Sequence, residues 1–339
     1  MLRPGSAKTF ADYANQVFIP YVMQTLQNVS HLQSEKLIVT TQGPDVISNK
    51  PIDHTNLSQY NHKEADTRMM LHLANAAEHC RRILIRTVDT DVVVLSVAAM
   101  TRHPHLQLWI AMGAGKDFRY IAAHNISKVL GVAKAQCLPL FHSFTGCDTV
   151  SCFNVIGKKT AWEVWSKCDH VTATFQKLCC APFELTANDM SVLERFLTLL
   201  YDRGSNCHGV NSARKYMFTK TGRQIENIPL TSEALFQHCK RAIYQGGHIW
   251  SQAHERQPVL PDPSDWDWQF MDRQWQPFWT VLPQASLTCC ELLKCACKKE
   301  CRSKRCKCNK AGLKCTALCS CVCGADFPVQ HPVQAFNTN

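Results

Sequence analysis

The chain has 339 residues, 45% of them hydrophobic, and a formal net charge of +10. This apolar content supports a folded core and excludes global disorder, while the most apolar run, VVVLSVAAM, is too short to span a bilayer. MLRPGSAKTFADYANQVF lacks the charged, apolar and small-residue order of a secretory signal, so we expect a protein that is not secreted. The positive charge favours a polyanionic partner.

A pair of acids, Glu64 and Asp66, follows the first predicted elements of the chain. We predict an N-terminal helical segment over residues 1–36, followed by a strand at LIVTT. HKEADTRMMLHLANAAEHC predicts a helix, because apolar residues such as Met69 and Leu73 recur at helical spacing. Glu64 and Asp66 fall in its first turn, where the helix dipole favours acids, so ordinary N-terminal charge is one interpretation.

A strand and a second acidic pair come next. RILIRT predicts a strand, and VVVLSVAAM is either its continuation or a buried helix. Asp89 and Asp91 interrupt the apolar run where a βα turn belongs, and ligands of α/β sheets gather at such strand ends. Because two carboxylates in an apolar run need a counter-charge, a divalent cation is the functional interpretation. IRTVDTDVVV also fits the opening motif of haloacid-dehalogenase-type phosphatases, which we keep as a minor alternative.

The stretch TGCD ends at Asp148, which is either a helix cap or a further metal ligand. Five acids would suffice for one or two Mg²⁺ or Mn²⁺ ions that activate water for phosphodiester cleavage. The alternative is a set of separate caps and surface acids. We interpret His142 as a packed or capping histidine. The candidate metal ligands and catalytic residues are Glu64, Asp66, Asp89, Asp91 and Asp148.

The order of these motifs resembles the nuclease core of the PIN-like and flap-endonuclease group. E-A-D opens a helix, D-T-D ends a strand, G-C-D forms a turn, and I-G-K-K-T-A follows. Over roughly residues 37–165 the resemblance implies an α/β, PIN-like (5′-nuclease-like) three-layer core, which we place at residues 37–185. It also implies that Gly157, Lys158 and Lys159 hold the DNA backbone, although a plain helix start is the alternative for GKKTA.

One feature of that group has no counterpart before Glu64. Its first core strand carries another metal-binding Asp, whereas the segment preceding Glu64 offers only Asp45, in a PD turn. We therefore expect either a chain truncated in this region or a degenerate enzyme.

Two helical patterns and an aromatic stretch separate this core from the C-terminal region. NDMSVLERFLTLLYD and TSEALFQHCKRAIYQGG each begin with a plausible cap and carry apolar residues at three-four spacing. They predict a helical extension over residues 186–255. A Trp- and Pro-rich connector follows over residues 256–288, for which a tryptophan hairpin or packed connector is favoured over a base-stacking surface.

Residues 289–324 hold eleven of the twenty cysteines and a net charge of +7, nine Lys/Arg against two Glu. Nine thiolates supply the twelve ligand positions of three tetrahedral zinc ions if three of them bridge. Metal binding would then drive folding of so short a segment. Disulfides or free thiols are the alternative. The candidate zinc ligands are Cys295, Cys297, Cys301, Cys306, Cys308, Cys315, Cys319, Cys321 and Cys323.

This cysteine spacing resembles the CXC domain of the tesmin type, a DNA-binding zinc module of chromatin proteins. All nine cysteines have counterparts, although the first spacer is one residue shorter and the last pair is C-x-C. The resemblance implies a nuclear protein whose partner is DNA, with RNA also open, and we expect residues 325–339 to be a disordered tail. The candidate phosphate contacts of the module are Lys304, Arg305, Lys307, Lys310 and Lys314.

Together the motifs predict a DNA-associated protein with a Mg²⁺-dependent phosphodiester-hydrolysing core and a zinc-dependent DNA-binding module. The alternative is a non-enzymatic chromatin or transcription protein that keeps the nuclease fold as a scaffold. The missing first-strand Asp favours the scaffold, and the five acids in register favour the enzyme.

Overall fold

The computed structural model describes residues 37–42, 45–53, 55–58, 60–182, 184–219 and 227–278. In the C-terminal region it describes residues 295–298, 301, 305–310, 315, 319 and 321. The predicted N-terminal helical segment and C-terminal tail lie outside these residues. The chain divides into two compact units: Met1–Phe196 with Phe236–Phe278, and Leu197–Leu235 with Trp279–Asn339.

The first unit begins with a small hairpin. Strand β1 (Val39–Gln42) pairs antiparallel with β2 (Asp45–Ser48), and Val39 lies opposite Ser48. The predicted strand at LIVTT corresponds to β1, whereas Asp45, predicted in a turn, is the first residue of β2.

A three-stranded sheet forms the centre of the first unit. Strands β3 (Arg82–Thr87) and β4 (Gln107–Met112) are parallel, and β5 (Arg119–Ala122) runs antiparallel to β4, in the order β3-β4-β5. The predicted strand RILIRT is confirmed at β3. The fold is therefore mixed α/β, and its assignment to the PIN-like class stays a prediction.

Three helices accompany the sheet. Helix α1 (Ala65–His79) precedes β3, α2 (Thr90–Ala99) joins β3 to β4, and α3 (Ala123–Phe144) follows β5. The stretch VVVLSVAAM is thus helical, which decides between its two interpretations. Non-helical backbone at Gly131 kinks α3, where φ is +74°.

The hydrophobic core lies between the inner face of the sheet and these helices. Leu108 and Ile110 of β4 are fully buried and pack in one cluster with Val92 of α2 and Ala135 of α3. Inward-facing residues alternate with exposed ones along β3, as expected for a strand with one covered face.

Helices α4 (Lys158–Trp165), α5 (Asp169–Leu178), α6 (Ala187–Tyr201), α7 (Val210–Thr219) and α8 (Ser232–Ile243) follow. The two helices predicted for the extension are confirmed at α6 and α8. Helix α8 continues into a π-helical turn, Tyr244–Ile249, and a 3₁₀ turn, Trp250–Gln252.

The connector forms a tryptophan-containing hairpin, as favoured from the sequence. Strand β6 (Trp268–Met271) pairs antiparallel with β7 (Gln274–Pro277), and Trp266 just before it is buried. In the second unit, the described part of the cysteine-rich region contains a short helix α9 (Lys307–Lys310). Among the described residues, no helix combines the length and apolar character needed to cross a membrane.

Candidate functional site

Three of the five predicted acids meet where β3 ends and two helices begin. Asp89 caps α2, with its Oδ1 atom accepting a hydrogen bond of 2.8 Å from the backbone N–H of Asp91. Asp66 lies in the first turn of α1. One carboxylate oxygen from each of these acids lies within 4.8 Å of the others. This group, called the acidic triad below, could hold a metal ion.

The triad concentrates negative charge in a partly dry environment. Partial burial, and then the charges of Asp89 and Asp91, raise the pKa of Asp66 to about 6. Glu64 and Asp148 add to the same shift, so both lie close enough for their charges to be felt. Among the described residues, no Lys or Arg forms an ion pair with the triad. A bound cation would supply the missing counter-charge.

Glu64 is held beside the triad by residues from far along the chain. It occupies the cap position of α1, yet its side chain does not cap that helix. Its carboxylate instead accepts hydrogen bonds from Gln245 Nε2, at 3.1 and 3.2 Å, and from Trp250 Nε1, at 3.2 Å. Gln245 also accepts a hydrogen bond of 3.1 Å from the hydroxyl of Thr149, the residue after Asp148.

Neither Gln245 nor Trp250 is among the site residues predicted from the sequence. Each is only 5% exposed, and each lies in the π-helical and 3₁₀ turns that extend α8. Single π-helical turns occur frequently at functional sites. The available signal was the Gly246–Gly247 pair after a helical pattern, which breaks the expected helix next to Gln245.

His142 contacts the triad directly. Its Nε2 atom lies 2.8 Å from Asp91 Oδ1, and the residue is 7% exposed. It is therefore packed, as the sequence analysis proposed, and it also fixes one oxygen of Asp91. The other carboxylate oxygen of Asp91 has no hydrogen bond among those of the described residues, which suits a ligand oxygen.

Asp148 lies in an exposed turn outside the triad. Reciprocal backbone hydrogen bonds between Cys147 and Val150 close this turn. Gly146 precedes it with φ of +108°, and a Cβ atom there would approach Cys152 Cα to 2.8 Å. Glycine is thus required at position 146, and the turn places Asp148 where its charge acts on Asp66.

Lys158 stabilises the same turn through hydrogen bonds to the residues that precede it. Its ammonium group donates hydrogen bonds to the carbonyl oxygens of His142 and Gly146 and to the hydroxyl of Thr145. These are acceptors at the C-terminal end of α3, where helix carbonyls lack internal partners. Gly157 is the cap of α4, and Lys159 is exposed. Phosphate binding by these three residues stays a prediction.

We expect Asp66→Asn to stabilise the metal-free protein, because it removes one of several crowded negative charges. After allowance for solvent screening, the gain is about 1 kcal/mol, or roughly 2–4 °C in the unfolding midpoint. Thermal unfolding in EDTA measures this gain, and added Mg²⁺ should then stabilise the wild type but not the variant. The exposed Asp117→Asn is the matched control. A lower midpoint for Asp66→Asn in EDTA would show that the triad is a structural feature.

The cysteine-rich region forms a second candidate site. Eight of the nine predicted ligands are described, and Cys323, Lys304 and Lys314 lie outside the described residues. Three groups of four thiols could each hold a metal ion, and Cys295 belongs to all three. Non-bonded sulfur atoms lie 3.5–3.9 Å apart in the pairs Cys295–Cys301, Cys308–Cys319, Cys295–Cys315 and Cys306–Cys315.

Positively charged side chains lie on the solvent-exposed side of these thiols. Arg305, Lys307 and Lys310 are exposed, whereas Cys306 and Cys308 between them are buried. Asn309 donates a hydrogen bond of 3.0 Å to the carbonyl of Cys301 and ties α9 to the preceding segment. The cysteines therefore face one another and the basic side chains face solvent.

No family model, no curated protein and no solved structure matches this chain.

Proposed function

We propose that the chain is a nucleic-acid-associated protein whose acidic centre hydrolyses phosphodiester bonds with Mg²⁺ or Mn²⁺. The observation that carries this proposal is the convergence of Asp66, Asp89 and Asp91 within 4.8 Å at the end of β3. Ligands that are all carboxylate oxygens suit these hard cations. The motif order that resembles PIN-like nucleases, which includes the same three acids, supports the proposal as well.

Each residue around the triad has a defined part in this proposal. Asp66, Asp89 and Asp91 would hold the metal, which when bound lowers the pKa of water and stabilises charge on phosphate oxygens. His142 fixes one oxygen of Asp91 and leaves the other for ligation. Through its bonds to Glu64 and Thr149, Gln245 connects the start of α1 with the turn that bears Asp148.

For the cysteine-rich region we propose zinc as the metal. With Zn–S bonds of about 2.3 Å, two sulfur ligands of one tetrahedral ion lie roughly 3.8 Å apart. The observed separations of 3.5–3.9 Å support this geometry. The exposed Arg305, Lys307 and Lys310 supply positive charge for a phosphate backbone, so we assign DNA docking to this region.

A scaffold without catalysis is the second candidate function. It is favoured by Lys158, whose ammonium group is occupied by protein oxygens although the sequence predicts it to hold phosphate. In this alternative the acidic triad is inherited from a nuclease, and the protein acts in chromatin or transcription through its zinc-dependent docking alone.

The test is cleavage of labelled flap, hairpin and single-stranded DNA and RNA with Mg²⁺, Mn²⁺ or EDTA. We expect metal-dependent cleavage that Asp89→Asn lowers by at least about 100-fold, since changing residues that only support ligands already costs 10–100-fold. Asp117→Asn is the control for loss of one surface carboxylate. Cleavage that persists in EDTA or in Asp89→Asn would remove the triad from the mechanism. Binding without cleavage of any substrate would favour the scaffold.

A further inference from the structure

The outer face of the sheet exposes an unusual combination of side chains. On β3 it carries Leu84 between Arg82 and Arg86, and on β4 it carries Trp109 directly beside Leu84. Tyr120 of β5 lies opposite Ala111, the register partner of Arg86, and so belongs to the same face. Leu84, Trp109 and Tyr120 are 58%, 40% and 61% exposed.

A fourth residue extends this surface. Phe118 is exposed, packs edge-on against Tyr120 with ring centroids 5.1 Å apart, and lies 5.2 Å from the guanidinium of Arg86. We call Arg82, Leu84, Arg86, Trp109, Phe118 and Tyr120 the outer face.

Charge selects among the partners that such a face could take. The outer face carries two arginines, Arg82 and Arg86, and no acid, and Nη1 of Arg86 already donates to the carbonyls of Thr87 and Ala111. An apolar protein segment would leave the outer-face arginines without counter-charges. A single-stranded nucleic acid satisfies both features at once, because unpaired bases stack on aromatic rings and phosphates accept hydrogen bonds from guanidinium groups.

The position of the outer face relative to the acidic triad supports the same partner. Arg86 and Asp89 lie on one continuous segment, since β3 ends at Thr87 and Asp89 caps the next helix. At about 3.3 Å per residue, the chain from Leu84 to Asp89 extends roughly 17 Å, the span of a few nucleotides. A single nucleic-acid strand that lies along β3 would therefore run toward the triad.

We infer that the outer face binds single-stranded nucleic acid and guides it to the acidic triad. This inference rests on the proposed function for its substrate, and it names unpaired strands as the substrate class. Binding at the outer face does not itself require metal or cleavage, so it can be tested separately from hydrolysis.

The experiment uses the full chain carrying Asp89→Asn and a short oligodeoxythymidine containing 5-iodouracil. After photo-cross-linking, mass spectrometry assigns the linked residues, which separates the outer face from the cysteine-rich region. We expect cross-links at Trp109 and Tyr120, and a roughly 10-fold weaker affinity at this site for Trp109→Ala. Arg82→Gln should lower the slope of log affinity against log salt by about one.

Trp275→Ala is the matched control, because Trp275 is an equally exposed strand tryptophan outside the outer face, 44% against 40%. It should leave cross-linking at Trp109 and Tyr120 unchanged. Hydroxyl-radical footprinting of the free chain should modify Trp109 as readily as Trp275.

Two results would overturn the inference. One is cross-linking confined to the cysteine-rich region, with equal affinities for Trp109→Ala and Trp275→Ala. The other is protection of Trp109 in the free chain, which would mean that residues 1–36 or a second copy cover the outer face. Cross-links at the outer face without cleavage of any substrate would uphold the inference and count against hydrolysis alone. Cleavage by the wild-type chain without such cross-links would support hydrolysis and contradict the inference about the outer face.

Discussion

Removing metal from the full chain with a strong zinc chelator is expected to release about three equivalents of zinc and unfold the cysteine-rich region. In the part that the structure describes, the buried cluster of this region consists of cysteines alone. Among these described residues, no apolar core would stabilise the fold once the metal–sulfur bonds are lost, and structural zinc contributes roughly 10–16 kcal/mol in comparable peptides. Zinc release, hydrogen exchange of residues 295–323 and DNA binding measure the effect.

Matched cysteine variants distinguish a cysteine that belongs to several thiol groups from one that belongs to a single group. Cys295 belongs to all three thiol groups, whereas Cys308 belongs to one, so Cys295→Ser should lose more zinc than Cys308→Ser. Cys80→Ser, at an exposed thiol outside the region, should retain all of it. The zinc assignment would be wrong if the purified chain held less than one equivalent of zinc and its mass showed disulfide-bonded cysteines. The region would then be held by disulfides.

Gly246→Ala is expected to destabilise the first unit by about 3 kcal/mol and to weaken metal binding at the triad. A Cβ atom at residue 246 would lie 2.6 Å from Ser143 Oγ and 2.7 Å from Leu140 Cα, and the backbone of α3 cannot move aside without disturbing the core. Because Gln245 is the adjacent residue, the displacement should also loosen its hydrogen bonds to Glu64. Urea unfolding and Mn²⁺ titration of the wild type and the variant measure the two effects.

Gly204→Ala is the control for this substitution. An added Cβ there meets nothing closer than 3.7 Å, so stability should change by less than about 0.5 kcal/mol. If Gly246→Ala has the same stability and the same Mn²⁺ affinity as the wild type, the π-helical turn and α3 can separate easily. Gln245 then does not support the site.

Local pattern was sufficient to predict the centre of the candidate site. An apolar strand followed by two acids at a βα turn places carboxylates at the sheet edge, which is where Asp89 and Asp91 lie. The helical pattern likewise placed Asp66 in the first turn of α1, although its meeting with the other two acids is a tertiary contact. Each prediction depended on residues close together in sequence, where periodicity and capping preferences operate.

The supporting residues could not be predicted in this way. Gln245 and Glu64 are 181 residues apart, and no local preference indicates that α8 ends in a π-helical turn against α1. Lys158 shows a different difficulty, because a lysine after glycine suits phosphate and unpaired helix carbonyls equally well. The tertiary position of the end of α3 determines which acceptors it meets.

The bridge from Glu64 to Gln245 and Trp250 also affects when the acidic centre can form during synthesis. The triad acids and Glu64 are translated within the first third of the chain, but the side chains that hold Glu64 follow it by 181 and 186 residues. In a nascent chain the carboxylate of Glu64 therefore lacks these hydrogen-bond donors until Trp250 has left the ribosome. Translation that stops between Asp148 and Gln245 yields a product with all five acids and without the two side chains that hold Glu64.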